Sequence, residues 1–303
     1  MTLTGNQYEI KAGPYNAVVT ESGARLRELT CDGRPLVLGH DADETAPAAF
    51  GQVLTPWPNR IDHGRYDYDG ATHQLPLSEP ELGHAIHGLA RWVPWTAEAH
   101  DVHRVRLGHR LLGQKGYPFR LDLAVEYALD AETGLTVSLS AHNTGSRNAP
   151  YGQGAHPYLT VGEPIDQCTV CIPADSYQPV DARMIPDGPP ADVTGTVYDL
   201  RTARALGDQT IDNAFTGLRR DADGKAWVRL TGSDGTHGTV FWLDDAHPWL
   251  EIYTADAAPA AQRRLGLAVE PMTCPPNAFV SGTDVIDLKP GASFSASWGI
   301  MST

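Results

Sequence analysis

The chain has 303 residues, of which 41% are hydrophobic, and a formal net charge of -14. That is enough apolar material for a sizeable core, and large all-β domains reach this length as one unit. The acidic balance argues against nucleic acid or anionic membrane as the main partner.

From the N-terminus, M-T-L-T-G-N-Q-Y-E-I-K lacks a charged-then-apolar signal pattern. No apolar run approaches the ~18–20 residues that cross a bilayer. A cytoplasmic location is the expectation. Strand-and-turn patterns begin at residues 8–38. Next comes T-P-W-P-N-R-I, with Asn59 and Arg60. Arginine offers a planar, permanently charged donor fork suited to hydroxyls or a carboxylate. Taken alone, Arg60 reads better as half of a surface salt bridge.

A short helix is expected near residues 78–82, followed by G-H-A-I-H-G-L-A-R-W with His84 and His87. The spacing H-x-x-H recurs at His100 and His103. On a helix such pairs would share a face as metal ligands, but neither region reads as a helix. His100 and His103 flank Asp101 in a polar turn and read as solvated loop histidines. His87 precedes Gly88, and Trp92 and Trp95 follow, offering rings for the apolar face of a sugar.

The dominant period is two. Leu121, Leu123, Val125, Tyr127 and Leu129 share one face, as do Leu135, Val137, Leu139 and Ala141. These are half-buried strands separated by turns. Then comes Y-G-Q-G-A-H-P-Y-L-T, where Gly152 and Gly154 permit close backbone approach and Pro157 fixes the chain beside His156. An imidazole near pKa ~6.5 can give or take a proton at neutral pH. The competing reading is a core histidine bonded to backbone.

Cys168 and Cys171 form a lone C-x-x-C on strand-like sequence. Without a second pair it reads as structural rather than as half a zinc site. Residues 173–190 are Pro-rich and read as a long ordered loop, and a second short helix is expected at residues 200–205. Q-T-I-D-N-A-F follows, with Asp212 as a turn aspartate or an acceptor for sugar hydroxyls. Further strands are expected at residues 226–243, 250–255 and 285–300.

Near the end lies G-L-A-V-E-P-M-T-C-P-P-N-A-F, where Glu270 sits in apolar company with a proline behind it. Desolvating a carboxylate is costly, so such surroundings raise its pKa toward that of a useful general base. No G-x-S-x-G, Walker-type or G-x-G-x-x-G motif supports serine hydrolysis, P-loop chemistry or dinucleotide binding. Many strands, few helices and no linker predict an all-β fold of large antiparallel sheets in one domain over residues 1–303.

Together the segments N-R-I, H-G, G-A-H-P-Y, I-D-N-A-F, A-V-E-P and the closing S-W-G-I resemble the aldose 1-epimerase (galactose mutarotase-like) family, in its motif order. The resemblance implies a β-supersandwich and interconversion of the α and β anomers of a free hexose, with a sugar as the partner. It implies Glu270 as general base, His156 as general acid and His87 in support of the acid. Asn59, Arg60, Gln153 and Asp212 would bind substrate, and neither a metal nor another cofactor is expected. H-G-L in place of H-G-G is more similar to a bacterial branch that includes proteins assigned as sulfoquinovose mutarotases. A hexose bearing a 6-sulfonate or 6-phosphate is therefore an alternative, with Arg91, Arg183 or Arg219 as candidate anion contacts. A non-catalytic sugar-binding protein on the same fold is another. A glycoside hydrolase would need a second carboxylate beside the bond, with Asp212 the one candidate. Monomer and homodimer stay equally open.

Overall fold

The computed structural model describes residues 2–303. Antiparallel strands are its dominant regular structure, as the alternating sequence requires. One sheet runs Thr96–His100, Arg104–Leu111, Leu121–Asp130, Gly134–Asn143, Ser293–Ser302, Gly238–Leu243, Ala226–Thr231, Thr169–Cys171 and Arg204–Ala205. A second runs Ala191–Asp192, Ala174–Tyr177, Asp212–Leu218, Trp249–Tyr253, Leu267–Met272, Gly154–Ala155 and Val53–Leu54, with Tyr158–Leu159 also paired to Leu267–Met272. The architecture is the expected sandwich of large antiparallel sheets.

Period two decides what each sheet buries. Leu123, Val125 and Tyr127 of the first sheet join Phe215, Leu250, Ile252, Leu267 and Val269 of the second in one hydrophobic core. The residues between those of the second sheet (Asp212, Glu251, Tyr253 and Glu270) therefore stand on its opposite face. One sheet thus drives folding with one face and presents carboxyl groups on the other.

Two expected helices are absent. Residues 78–82 form a turn, in which the Glu79 carbonyl accepts the N–H groups of both Gly83 and His84 at 3.0 Å. Residues 200–205 end in the strand Arg204–Ala205, which pairs with Thr169–Cys171. The α-helix that does form among the described residues is one turn, Ala278–Ser281. The Pro-rich loop also holds a strand, Ala174–Tyr177. His100 lies at a strand end rather than in a loop, and it and His103 bond the Glu9 and Lys11 carbonyl oxygens at 2.9 and 2.7 Å.

Cys168 and Cys171 are free thiols that turn to different carbonyls, those of Pro164 and Arg201. Burial pushes the Cys168 thiol up to about 12, which removes the thiolate that redox or metal chemistry needs. Gly299 of the S-W-G-I segment serves packing: a Cβ there would lie 2.3 Å from the Trp242 ring nitrogen.

Candidate active site

A cavity of about 470 Å³ opens over the outer face of the second sheet. Its floor is set by strand register. Glu251 and Glu270 are direct cross-strand partners, while Asp212 lies opposite Tyr253, diagonal to Glu251. Strand alternation therefore gathers three carboxyl groups on one face.

His156 reaches this face from the segment between Gly154–Ala155 and Tyr158–Leu159. A Cβ on Gly154 would come 2.7 Å from the Pro271 carbonyl oxygen, so glycine lets the segment lie against the Glu270 strand. Backbone bonds to Gly51 and Gln52, at 2.9 and 3.0 Å, fix His156 from the other side. Its ring stacks on Tyr158 at 4.9 Å, and its Nε2 lies 3.1 Å from Glu270 Oε1. His156 Nδ1 and Glu270 Oε2 are buried without a partner among the described residues.

The facing wall is made of loops. Asn59 and His87 both hold left-handed backbone, with φ of 53° and 62°. Such conformations in non-glycine residues cost energy and persist only where the surroundings enforce them. Here each enforces the other: the His87 N–H donates to the Asn59 carbonyl at 3.0 Å, and the Asn59 N–H donates to His87 Nδ1 at 3.3 Å. With Nδ1 accepting, a neutral His87 carries its proton on Nε2. Gly88 follows at φ 73°, where a Cβ would sit 2.0 Å from the Thr55 carbonyl oxygen.

The electrostatics follow from burial. Desolvation pushes the Glu270 carboxyl well up, Asp212 pushes it further, and Arg60 opposes both. Desolvation pushes the His156 imidazole down to about 3 and holds His87 well below its ordinary value. Both members of the Glu270–His156 pair are thus pressed toward their neutral forms, and one proton serves the two. Burial works against the charge of Arg60, but Glu79, taking Nε and Nη2 at 2.8 and 2.9 Å, outweighs it. Arg91 also lines the cavity, and no carboxylate among the described residues pairs with it.

The sequence profile of the aldose 1-epimerase family matches residues 6–300. The chain belongs to the aldose 1-epimerase family. An Escherichia coli K12 protein known as YihR, of uncharacterized function, is 36% identical over 292 residues, covering 96% of this chain and 91% of that protein. Rat galactose mutarotase is 36% identical over 68% of this chain and 62% of its own length. Among solved structures, the GalM/aldose epimerase homologue from C. elegans superposes with a TM-score of 0.86 at 19% identity, covering 98% of both chains. Galactose 1-epimerase from Lactobacillus acidophilus gives 0.81 at 21% identity, covering 97% of this chain and 92% of that one. The fold is thus that of the family, and the protein is an isomerase of the aldose 1-epimerase class.

Six of the residues singled out from sequence, Asn59, Arg60, His87, His156, Asp212 and Glu270, line this epimerase-type cavity. Gln153 does not. It is buried behind the site, where its Oε1 accepts from Tyr151 at 2.7 Å and its Nε2 donates to the Leu139 carbonyl at 3.0 Å. Both ends of its amide hold the scaffold, so Gln153 is a structural residue and not the substrate contact expected from its motif. Trp95 is buried with its N–H on the Ala90 carbonyl, and Trp92 is exposed beneath Arg25. The aromatic wall is Tyr158 and Tyr253 instead. Of the three candidate anion contacts, Arg183 pairs with Asp62 and Arg219 with Asp175, while Arg91 alone reaches the cavity. His84 is buried below, with Nε2 3.0 Å from the Arg183 carbonyl.

Glu79 and Glu251 were not anticipated from sequence. Glu79 stands in a segment read as helix. Glu251 lies in W-L-E-I-Y, where its alternation with Leu250 and Ile252 looks like an ordinary solvent-facing glutamate. Only the neighbouring strands reveal that this face is covered.

Proposed function

We propose that this chain catalyses mutarotation of a free hexose, with Glu270 and His156 trading one proton pair across the anomeric centre. The observation that carries this reading is the 3.1 Å approach of His156 Nε2 to Glu270 Oε1 at the base of a sugar-sized cavity. In the charged state of the pair, Glu270 takes the proton from the O1 hydroxyl as His156 gives one to the ring oxygen O5. The C1–O5 bond breaks and C1 becomes an aldehyde carbonyl. Both protein groups are then neutral, which is the state that burial favours. Rotation about C1–C2 exposes the other carbonyl face, and closure runs the same transfers backward. His87, with a proton on Nε2, donates to the sugar beside His156. Asp212 and Arg60 take the hydroxyls. Positioned acid–base groups contribute about 10²–10⁴-fold.

The same convergence would suit a metal ion, since ligand atoms of His87, His156 and Glu270 lie within 4.8 Å of one another. Exchange that survives dialysis against a chelator keeps the proton-transfer reading. Loss of exchange, with recovery on adding zinc, would assign the three side chains to a metal.

A second reading concerns the sugar. Arg91 brings a guanidinium without a carboxylate partner into the cavity, and burial, partly offset by Glu79, lowers its pKa. A substrate with a sulfonate or phosphate would supply the missing counter-charge. NMR exchange spectroscopy on galactose, glucose, glucose 6-phosphate and sulfoquinovose tests both readings. Faster α/β exchange of at least one sugar is expected, and faster exchange of the anionic members favours Arg91 as an anion contact. Binding without acceleration of any sugar would overturn mutarotation in favour of a sugar-binding role.

A further inference from the structure

Glu251 is 3% exposed and sits between two other acids on the sheet face. Glu270 is its direct partner on one side, and Asp212 lies diagonally on the other. Directly opposed side chains in a sheet stand about 4.5–5.5 Å apart at Cβ, where like charges repel. The groups facing Glu251 are Asp212, Glu270 and Arg60, with Asn59 bonded to it, Tyr253 two residues along its own strand, and His156 beyond Glu270. The arginine is already held by Glu79 through two bonds. Three ionised carboxylates have no sufficient counter-charge here.

Burial and neighbouring groups favour Glu251 as the acid that gives way. Glu251 Oε2 accepts from Asn59 Nδ2 at 3.4 Å. The strand register sets the Asp212 carboxyl diagonally beside that of Glu251, and two carboxyl groups can bond one another only if one of them carries a proton. Burial pushes the Asp212 carboxyl up as well, but Asp212 is the less enclosed of the pair and has Arg60 as its main electrostatic support. Burial comes first among the influences that push Glu251 well up, followed by Asp212 and Glu270.

We propose that Glu251 is a positioning residue, kept as a neutral carboxylic acid that donates to Asp212 and accepts from Asn59. Asp212 thereby stays an anion facing the sugar, and Asn59 keeps the left-handed turn that carries His87. Glu270 is left as the carboxyl free to exchange a proton with His156. Glu251 does not line the cavity and acts through these neighbours. The catalytic consequence rests on the mutarotase reading, while the protonation state stands apart from it.

An amide can make both bonds that the neutral acid makes. Glu251→Gln should therefore keep turnover close to wild type, while Glu251→Leu should raise KM by about 10- to 100-fold, the worth of a hydrogen bond to a charged group. Infrared difference spectroscopy between wild type and Glu251→Gln at neutral pH reads the proton directly. The carbonyl-stretch band of a protonated carboxyl should be present in wild type and lost in the glutamine variant. If the lost band is that of an ionised carboxylate, or if Glu251→Gln is as impaired as Glu251→Leu, the proposal is overturned. The infrared result decides the protonation claim even if Glu251→Leu does not fold. It also does so if wild type accelerates no sugar, an outcome that would sink the mutarotase reading alone.

Discussion

The two walls of the cavity are built in opposite ways. The sheet wall carries Asp212, Tyr253 and Glu270, with Glu251 packed between them out of reach of the cavity, at positions dictated by strand register, with regular backbone and a hydrophobic core directly behind. The loop wall carries Asn59, His87 and Arg91 on turns, the first two with left-handed backbone, and Arg60 at the start of the two-residue strand Arg60–Ile61. The sheet wall supplies acids and the loop wall supplies donors. A sugar hydroxyl both gives and takes hydrogen bonds, so it suits a gap between such walls. Register places the groups that must be rigid against one another, whereas strained turns aim single donors that no strand could reach. His156 joins the two, on a short segment locked to the Glu270 strand by Gly154 and facing His87 with ring centroids 5.3 Å apart.

Substitution at that junction should have the largest effect. His156→Asn keeps a polar side chain but removes the second protonation state, and turnover should fall by about 10²–10⁴-fold. A change confined to KM would hand the acid role to His87 on the loop wall.

Burial of His156 also couples the junction to stability. An unfolded histidine protonates below about pH 6.5, whereas in the fold His156 stays neutral until about 3. Between these values the unfolded state binds more protons, so this residue's contribution is present above the upper value and is lost as pH falls. Relative to wild type, His156→Asn should gain about 1.4 kcal/mol for each pH unit in that window. Urea denaturation at a series of pH values measures the gap, and a constant gap would place the imidazole in water.

Arg91→Met separates donors that serve the fold from those that serve the substrate. We expect kcat/KM for an anionic hexose to drop by about 10- to 100-fold, with little change for a neutral one. Equal losses for both would make Arg91 part of the scaffold. The smallest expected effect comes from Gly88→Ala. A methyl group there meets the Thr55 carbonyl at positive φ, and stability should fall by about 1–3 kcal/mol, together with the aim of His87. Unchanged thermal melting would show that the loop wall is slack.

Sequence alone made the sheet wall half visible. Leu123, Val125 and Tyr127 alternate so regularly that their strands could be read directly, and Glu270 stood out as a carboxyl within an apolar segment. Glu251 stayed hidden because its strand looks like any half-exposed one until Asp212 and Glu270 are placed beside it. The loop wall was legible through its motifs, since Asn59, Arg60 and His87 stand in Gly- and Pro-punctuated segments. Motif membership misled at Gln153, whose amide is spent on Tyr151 and Leu139. Proximity in sequence misled at Trp92, because the turn after Gly88 carries that ring out to solvent. The expected helix at residues 78–82 was lost to a turn closed by the Glu79 carbonyl, a choice that places the Glu79 side chain against Arg60.

The central claim is that one proton pair, traded between Glu270 and His156, drives anomer exchange. Two-dimensional exchange NMR of one accepted sugar, with wild type and Glu270→Gln side by side, tests it most directly. Wild type should produce strong α/β exchange cross-peaks, while Glu270→Gln should leave exchange at the uncatalysed rate and still shift the sugar resonances on binding. Exchange by Glu270→Gln at the wild-type rate would contradict the claim.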